Sequence, residues 1–256
     1  MSSDAILNLP PPPADARLAY GVDEHQFGEL RLPARPGPFP LVMNIHGGYW
    51  RARYDLGHSG HFCAALTAKG VATWNVEYRR VGNRGGGWPG TLEDVCKAWR
   101  FILEVSADHD VDTSRALATG HSAGGQLALY LAAQEASVWG VVSLGGVVNL
   151  HQAWAQHLSA GAVAEFLGGS PEEVPERYRS ADPMQLAIKA KQRLIHGAAD
   201  EVVPADLSRG YVAEKKTRGE DVEYMETSIA GHFDLIDPRS GAWREVENVI
   251  LNLLRS

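Results

Sequence analysis

Cysteine is scarce in this sequence, which contains only Cys63 and Cys96. Both lie in segments with the composition of helices, so the sequence predicts two buried thiols and neither a disulfide framework nor a zinc site. Other metal-binding patterns are also missing, because His58 and His61 have no carboxylate partner at an obvious spacing and no H-E-x-x-H occurs. We therefore expect no metal.

Long apolar runs and an excess of basic residues are missing as well. No run approaches the roughly 18 apolar residues of a membrane span, and the N-terminus lacks the basic and apolar regions of an export signal. Asp and Glu number 31 and Lys and Arg 24, for a net charge of −7. This balance argues against a nucleic-acid or membrane partner. A cytoplasmic location is the resulting expectation.

The sequence has enough apolar residues for one large core. Hydrophobic residues make up 45% of the 256 residues and no linker divides them, so we predict a single domain over residues 1–256. Four consecutive prolines at 10–13 predict that residues 1–16 form an extended arm over the surface.

Short apolar runs alternate with helical patterns along the rest of the chain. This alternation predicts an α/β fold with a mostly parallel, doubly wound sheet and helices on both faces. Ligand chemistry is then expected at the carboxyl ends of the strands. Two short helical patterns interrupt the alternation between about residues 147 and 190, and we interpret them as a small helical cap. The predicted strands cover residues 27–32, 40–45, 71–76, 115–119, 138–144, 192–196 and 222–226.

The segment from Gly120 to Gly124 reads G-x-S-x-G between an apolar run and a run of helix formers. In that context the motif is typical of a serine nucleophile, Ser122, on a sharp turn from strand to helix. A Cβ at either glycine would crowd the approaching strand and helix. A Gly/Ser-rich turn without chemistry is the structural alternative.

A serine hydroxyl needs a base, and the base needs a carboxylate that orients it. The chain order after such a serine is an acid and then a histidine. His232 follows the last predicted strand, whereas His196 precedes the candidate acid and is interpreted as a satisfied residue of a turn. Asp200 lies in the loop after a buried strand, with Glu201 as its nearest competitor. We therefore predict Ser122, Asp200 and His232 as the catalytic residues.

The segment His46-Gly47-Gly48-Tyr49-Trp50 follows an early predicted strand. Backbone N–H groups in such a glycine-rich loop, with the N–H after the nucleophile, form an oxyanion hole that stabilises negative charge on a carbonyl oxygen. The prediction for this hole comprises Ala123 and the loop residues Gly47, Gly48 and Tyr49. The second donor is expected to be the N–H of Gly48 or of Tyr49.

Both motifs, the order of the three residues and the β/α alternation resemble the α/β-hydrolase superfamily over nearly the whole chain. Within it, the HGGYW and GHSAGG segments resemble the kynurenine formamidase (arylformamidase) and small esterase/lipase group. The resemblance implies hydrolysis of N-formyl aryl amides or small carboxylic esters without a cofactor. The loop with Gly85, Gly86 and Gly87 departs from the pattern and leaves the substrate's identity open.

The leading hypothesis is a serine hydrolase that acts on a small ester or formamide through an acyl-enzyme. An acyltransferase or peptidase on the same residues and a non-catalytic binding module are the alternatives. A homodimer is compatible with the sequence, as is a monomer. Five aromatic residues are candidates to line an apolar substrate pocket: Tyr49, Trp50, Trp88, Trp154 and Phe166.

Overall fold

In the computed structural model, which describes residues 3–256, eight strands form one sheet in the order β1-β2-β4-β3-β5-β6-β7-β8. Strands β1 and β2 join the sheet antiparallel, and all pairings from β4 through β8 are parallel. The strands are β1 Ala16–Ala19, β2 Phe27–Arg31, β3 Phe39–Ile45, β4 Ala72–Val76, β5 Val111–His121, β6 Gly140–Leu144, β7 Lys191–Gly197 and β8 Val222–Thr227. The mostly parallel sheet predicted from the alternation is confirmed.

Helices cover both faces of this sheet. They are α1 Gly60–Ala68, α2 Gly90–Val105, α3 Ala123–Gln134, α4 Leu150–Ala155, α5 Ala162–Leu167, α6 Pro175–Ala181, α7 Asp206–Thr217 and α8 Trp243–Arg255. Successive side chains of a strand point to opposite faces, so β3 places Leu41 and Met43 in one core cluster and Val42 in the other. Helices α2, α3 and α7 pack in the first cluster, whereas α1 and α8 pack in the second.

The N-terminal segment differs from its prediction. Residues Ser3–Asn8 form a 3₁₀ helix in which Ile6 is fully buried, and Ala16–Ala19 form the edge strand β1. The extended arm is therefore wrong for residues 3–8 and for Ala16, while Met1 and Ser2 lie outside the described residues. Ile6 precedes the proline run, so the prolines do not force its backbone to be extended. Burial of its apolar side chain is more favourable than exposure of that side chain on a surface arm.

The insertion between β6 and β7 is helical, as the sequence predicted, and comprises α4, α5 and α6 with a 3₁₀ turn at Leu158–Ala160. Its apolar side chains pack in the same core cluster as β3 and α3. The insertion is therefore continuous with the body of the molecule.

Cys63 on α1 and Cys96 on α2 are buried free thiols, as expected from the sequence. Burial raises the pKa of both thiols to about 12. No helix within residues 3–256 has both the length and the apolar character needed to cross a bilayer. In the same part of the chain, His, Cys, Asp and Glu side chains form no group of three or more that could hold a metal ion.

Candidate active site

Ser122 lies on a sharp turn between β5 and α3 at the carboxyl edge of the sheet. Its φ of 57° and ψ of −122° are a strained backbone conformation for a residue with a side chain. A Cβ on Gly120 would lie 2.0 Å from the carbonyl oxygen of Gly124, and one on Gly124 would lie 2.0 Å from that of Ile45. Only glycine fits at either position, as the motif predicted.

His232 and Asp200 reach this edge from loops that follow β8 and β7. The Nδ1 atom of His232 donates a hydrogen bond to Oδ2 of Asp200 over 2.7 Å. This bond leaves Nε2 of His232 as the nitrogen that can accept a proton. Ser122 and His232 line the same cavity, so the three predicted residues meet in one site. The competing acid Glu201 is exposed.

The side chain of Asp200 is fully buried and surrounded by donors. Its Oδ1 accepts hydrogen bonds from the N–H groups of Val202 and Val203, at 2.9 and 2.8 Å. His196 lies 3.3 Å from its Oδ2, and the His196 ring is also satisfied by the Ser208 hydroxyl and the Val203 carbonyl. Burial alone would raise the pKa of Asp200, but the hydrogen bonds from His196 and His232 outweigh it and hold that pKa well below its usual range.

His121, the residue before Ser122, contacts the base directly. Its Nε2 donates to the backbone carbonyl of His232 over 3.0 Å, and the two rings lie 4.4 Å apart. Burial, followed by the neighbouring His232, lowers the pKa of His121 well below its ordinary value, so its ring is neutral. The turn that carries Ser122 is thus tied to the loop that carries His232.

The glycine-rich loop after β3 passes beside Ser122. A Cβ on Gly47 would lie 2.9 Å from the Cβ of Ser122. The next three residues all have positive φ, at 110° for Gly48, 50° for Tyr49 and 57° for Trp50. Ala123 is the first residue of α3, and the first N–H groups of a helix have no acceptor within it. Gly47 therefore packs against Ser122, Gly48 and Tyr49 line the same cavity as Ser122, and Ala123 follows it in the chain.

The cavity at this site has a volume of about 350 Å³. Tyr49 lines it, as predicted, and its hydroxyl donates to the carbonyl of Val202 over 2.9 Å. Burial and then the charge of Asp200 raise the pKa of Tyr49 to about 12, so the hydroxyl keeps its proton at neutral pH.

The other four predicted pocket residues lie elsewhere. Trp50 and Phe166 are fully buried, stack with their rings 4.5 Å apart and belong to the core. Trp88 packs under the guanidinium of Arg177, and neither it nor Trp154 lines the cavity. Trp88 and Trp154 are half-buried and pack against that same core cluster. The prediction is wrong for these four because an aromatic residue that packs in or against the core has the same sequence signature as one that contacts a ligand.

Several lining residues carry no sequence motif. The 3₁₀ helix Ser3–Asn8 contributes Asp4 and Leu7 to the lining. The segment after the glycine-rich loop contributes Arg53, Tyr54 and His58, and Phe233 follows His232. The position of Phe233 next to the predicted base was the only signal in the sequence that could have identified any of them.

Residues 29–214 match the family model described as BD-FAE. The chain belongs to the BD-FAE family. The matched segment includes the glycine-rich loop, Ser122 and Asp200, and it ends before His232.

Two curated relatives of this BD-FAE chain are esterases. This chain is 25% identical to esterase LipC of Mycobacterium tuberculosis, and the alignment covers 92% of this chain and 64% of LipC. This chain is 31% identical to versiconal hemiacetal acetate esterase of Dothistroma septosporum, and the alignment covers 43% of this chain and 33% of that esterase. The chain thus spans less than two thirds of each.

The BD-FAE chain is also similar in structure to a truncated carbohydrate esterase from gut microbiota. The TM-score is 0.84 at 19% identity, over 97% of this chain and 100% of the other. This likeness shows the α/β-hydrolase fold that the motifs predicted.

Proposed function

We propose that this protein hydrolyses small carboxylic esters through an acyl-enzyme formed on Ser122. The observation that carries the proposal is the 2.7 Å hydrogen bond from His232 to the buried carboxylate of Asp200, because His232 lines the cavity that also holds Ser122 on its strained turn. The esterase activity in the names of both curated relatives supports it.

In the acylation step, Oγ of Ser122 attacks the ester carbonyl carbon while Nε2 of His232 takes the hydroxyl proton. Asp200 holds the ring in the required tautomer and stabilises the imidazolium that forms. The N–H groups of Gly48 and Ala123 stabilise the negative charge that develops on the carbonyl oxygen. The tetrahedral intermediate then breaks the bond to the alcohol, which leaves with the proton from His232.

In the second step a water molecule attacks the acyl group on Ser122. His232 removes a proton from that water, and the bond to Oγ breaks as His232 returns the proton to the serine. The products are a carboxylic acid and the regenerated hydroxyl. No cofactor is needed for either step.

The cavity favours a small substrate with an aromatic group. Its volume of about 350 Å³ is near the lower end for ligand pockets, which argues against a long acyl chain. The rings of Tyr49, Tyr54 and Phe233 line it, so an aryl group on either side of the scissile bond would have apolar contacts. The same lining favours an N-formyl aryl amide as a second class of substrate.

The test compares kcat/KM for aryl esters from acetate to laurate with that for N-formylkynurenine and a peptide. We expect a maximum at short acyl chains, and a maximum at long chains would contradict the small-substrate proposal.

Ser122→Ala should lower kcat by on the order of 10³-fold or more while the fold is retained. Near-normal activity of that variant would contradict the acyl-enzyme.

The alternatives predict different results in the same assays. An acyltransferase would form a new ester when an acceptor alcohol is added, and a peptidase would prefer the peptide. A binding module would turn over none of these substrates, and a fluorophosphonate would not label Ser122.

A further inference from the structure

The insertion between β6 and β7 contains a strained turn at residues 157–161, between α4 and α5. Positive φ angles occur at four of its residues: 54° at His157, 47° at Ser159, 54° at Ala160 and 85° at Gly161. Only glycine adopts such angles at little cost, because the Cβ of any other residue crowds the carbonyl oxygen that follows. Strain of this kind persists only where surrounding contacts fix the backbone, and it is concentrated at sites that hold ligands.

Arg51, the residue after the glycine-rich loop, makes three hydrogen bonds to the insertion. Two of them go to Ser159, because the guanidinium donates to its carbonyl oxygen over 2.8 Å and to its Oγ over 3.0 Å. The third runs from Nε to Oε2 of Glu165 on α5 over 2.7 Å. A guanidinium holds its donors in a rigid planar fork. The three bonds therefore form a clamp that fixes both the backbone and the side chain of Ser159.

The backbone that carries Arg51 is itself fixed. Its N–H donates to the carbonyl of Gly48 over 3.1 Å, which closes a tight turn at the end of the glycine-rich loop. On either side of it, the carbonyl of Trp50 accepts from the N–H of Val81 at 2.7 Å, and the N–H of Ala52 donates to the Val81 carbonyl over 2.9 Å. The clamp therefore starts from a well-anchored segment.

Ser159 connects the clamp to the cavity that holds Ser122. It lines this cavity together with Gly48 and Tyr49 of the glycine-rich loop. Among the lining residues in the described part of the chain, Ser159 is the one that comes from the insertion between β6 and β7. A displacement of residues 157–161 would therefore remove the insertion from the cavity wall.

We propose that Arg51 and Ser159 limit the size of the substrate. Arg51 is the positioning residue, since its clamp holds residues 157–161 in a conformation that the backbone disfavours. Ser159 is the specificity-determining residue, since its position closes one wall of a cavity of only about 350 Å³. The size limit rests on the proposed ester hydrolysis, whereas the clamp does not.

The first test measures the strain at Ser159 by urea unfolding. Ser159→Gly and Ser159→Ala both remove the hydroxyl and keep the carbonyl that Arg51 contacts. We expect the glycine variant to have the higher urea midpoint, because glycine accepts a φ of 47° and alanine does not. The same pair of substitutions at Ser180 on α6 is the control, and there the alanine variant should be the more stable. An alanine variant at position 159 that is as stable as the glycine variant would overturn the proposal.

Hydrogen exchange tests the clamp without any assay of activity. Arg51→Met keeps the apolar stem of the side chain and removes every donor. We expect the amides of residues 157–161 to exchange on the order of tenfold faster in this variant, with exchange in β5 unchanged. Arg177→Met is the matched control, because Arg177 on α6 of the same insertion donates to the carbonyl of Leu167 over 2.8 Å and lies outside the cavity lining. Unchanged exchange of residues 157–161 in Arg51→Met would overturn the clamp.

Kinetics test the size limit on both sides of the scissile bond. One series lengthens the acyl chain of p-nitrophenyl esters from acetate to octanoate, and the other lengthens the alcohol of acetate esters over the same range. In Arg51→Met we expect the ratio of kcat/KM for the longest and shortest substrates to rise on the order of tenfold in one series, with kcat for the shortest within about threefold of wild type. The ratio compares two substrates in one sample, so a loss of folded protein cancels. An unchanged ratio in both series, or an equal rise in Arg177→Met, would overturn the size limit.

Failure of the proposed function would give a different pattern. Wild-type protein that turns over no ester, or Ser122→Ala that retains activity, would refute ester hydrolysis at this site and with it the size limit. Hydrogen exchange and unfolding decide the clamp in either case.

Discussion

Asp200 has four donors around its two oxygens, and only one of them belongs to the proposed base. Replacing Asp200 with Asn keeps the size of the side chain but exchanges an acceptor for an amide. We expect Asp200→Asn to lower kcat by on the order of 10³- to 10⁴-fold with little change in KM, because the His232 ring loses its orientation. Steady-state kinetics with a short-chain aryl ester measure both constants. Glu201→Gln is the control, and a larger loss in that variant would mean that Glu201 is the acid.

Gly145 limits the space around the same hydrogen bond. A Cβ at this residue would lie 3.2 Å from Oδ2 of Asp200 and 3.3 Å from Nδ1 of His232, and its φ is 53°. We expect Gly145→Ala to lower kcat and to cost about 1–2 kcal/mol of stability, since a side chain disfavours this conformation. Gly210→Ala on α7, where nothing lies within 4 Å of the added Cβ, should leave kcat unchanged and increase stability by up to about 1 kcal/mol. Activity assays and urea unfolding test both, and an unchanged kcat in Gly145→Ala would contradict the crowding.

Individual residues were predictable where chemistry restricts their order or their backbone. Ser122, Asp200 and His232 could be found because a nucleophile, an acid and a base occur in a fixed order in this fold, and the glycines beside Ser122 exclude other residues. Trp50 could not be assigned, because an apolar ring is stabilised equally well by another ring or by a ligand. The geometry of the Asp200–His232 pair agrees with the prediction, while the catalytic roles stay predictions until they are tested.

At the scale of elements, the 3₁₀ helix Ser3–Asn8 links the core to the cavity. Ile6 is buried in the core, while Asp4 and Leu7 line the site. We expect Ile6→Ala to lower the free energy of unfolding by about 2–5 kcal/mol and to raise KM, because the cavity wall loses its anchor. Val22→Ala, which shortens a fully exposed side chain, is the control. Urea unfolding measures the stability and steady-state kinetics measure KM. An unchanged KM in a destabilised Ile6→Ala variant would show that the helix does not contribute to substrate binding.

Elements with a strong pattern could be predicted and those with a weak one could not. Strands β3 to β7 are parallel strands with largely buried central residues, which appear as apolar runs between helical patterns. Strand β1 has only four residues that alternate between half-buried and exposed, so its pattern resembles that of a loop. The helix Ser3–Asn8 lacks any pattern of its own, because one buried isoleucine sets its position.

At the scale of the whole molecule, stability should depend on buried neutral histidines. Burial, followed by the neighbouring His46, lowers the pKa of His58 to about 3. An unfolded histidine titrates near 6.5, so below about pH 6.5 the unfolded chain binds more protons and the free energy of unfolding falls as the pH falls. His58 alone contributes up to about 1.4 kcal/mol per pH unit between about pH 6.5 and pH 3. His121, with its lowered pKa, acts in the same direction.

Asp200 adds to this dependence at lower pH. Its pKa is depressed in the folded protein, so the stability it contributes is present above the unfolded pKa and is lost as the pH falls further. We expect urea midpoints to decrease steadily from about pH 7 to about pH 4, and His58→Gln to reduce that slope. A flat profile in the wild-type protein, or the same slope in His58→Gln, would contradict this account.

The cavity joins residues from distant parts of the chain: Leu7 precedes Ser122, and His232 and Phe233 follow it by more than a hundred residues. A ribosome adds about 5–20 residues per second, so Ser122 is made on the order of ten seconds before the histidine that would activate it. During that interval the nascent polypeptide carries a serine without its base, and such a hydroxyl is a weak nucleophile. The proposed hydrolytic activity therefore begins only when translation has passed β8, and a chain arrested earlier would bear the nucleophile but remain inert.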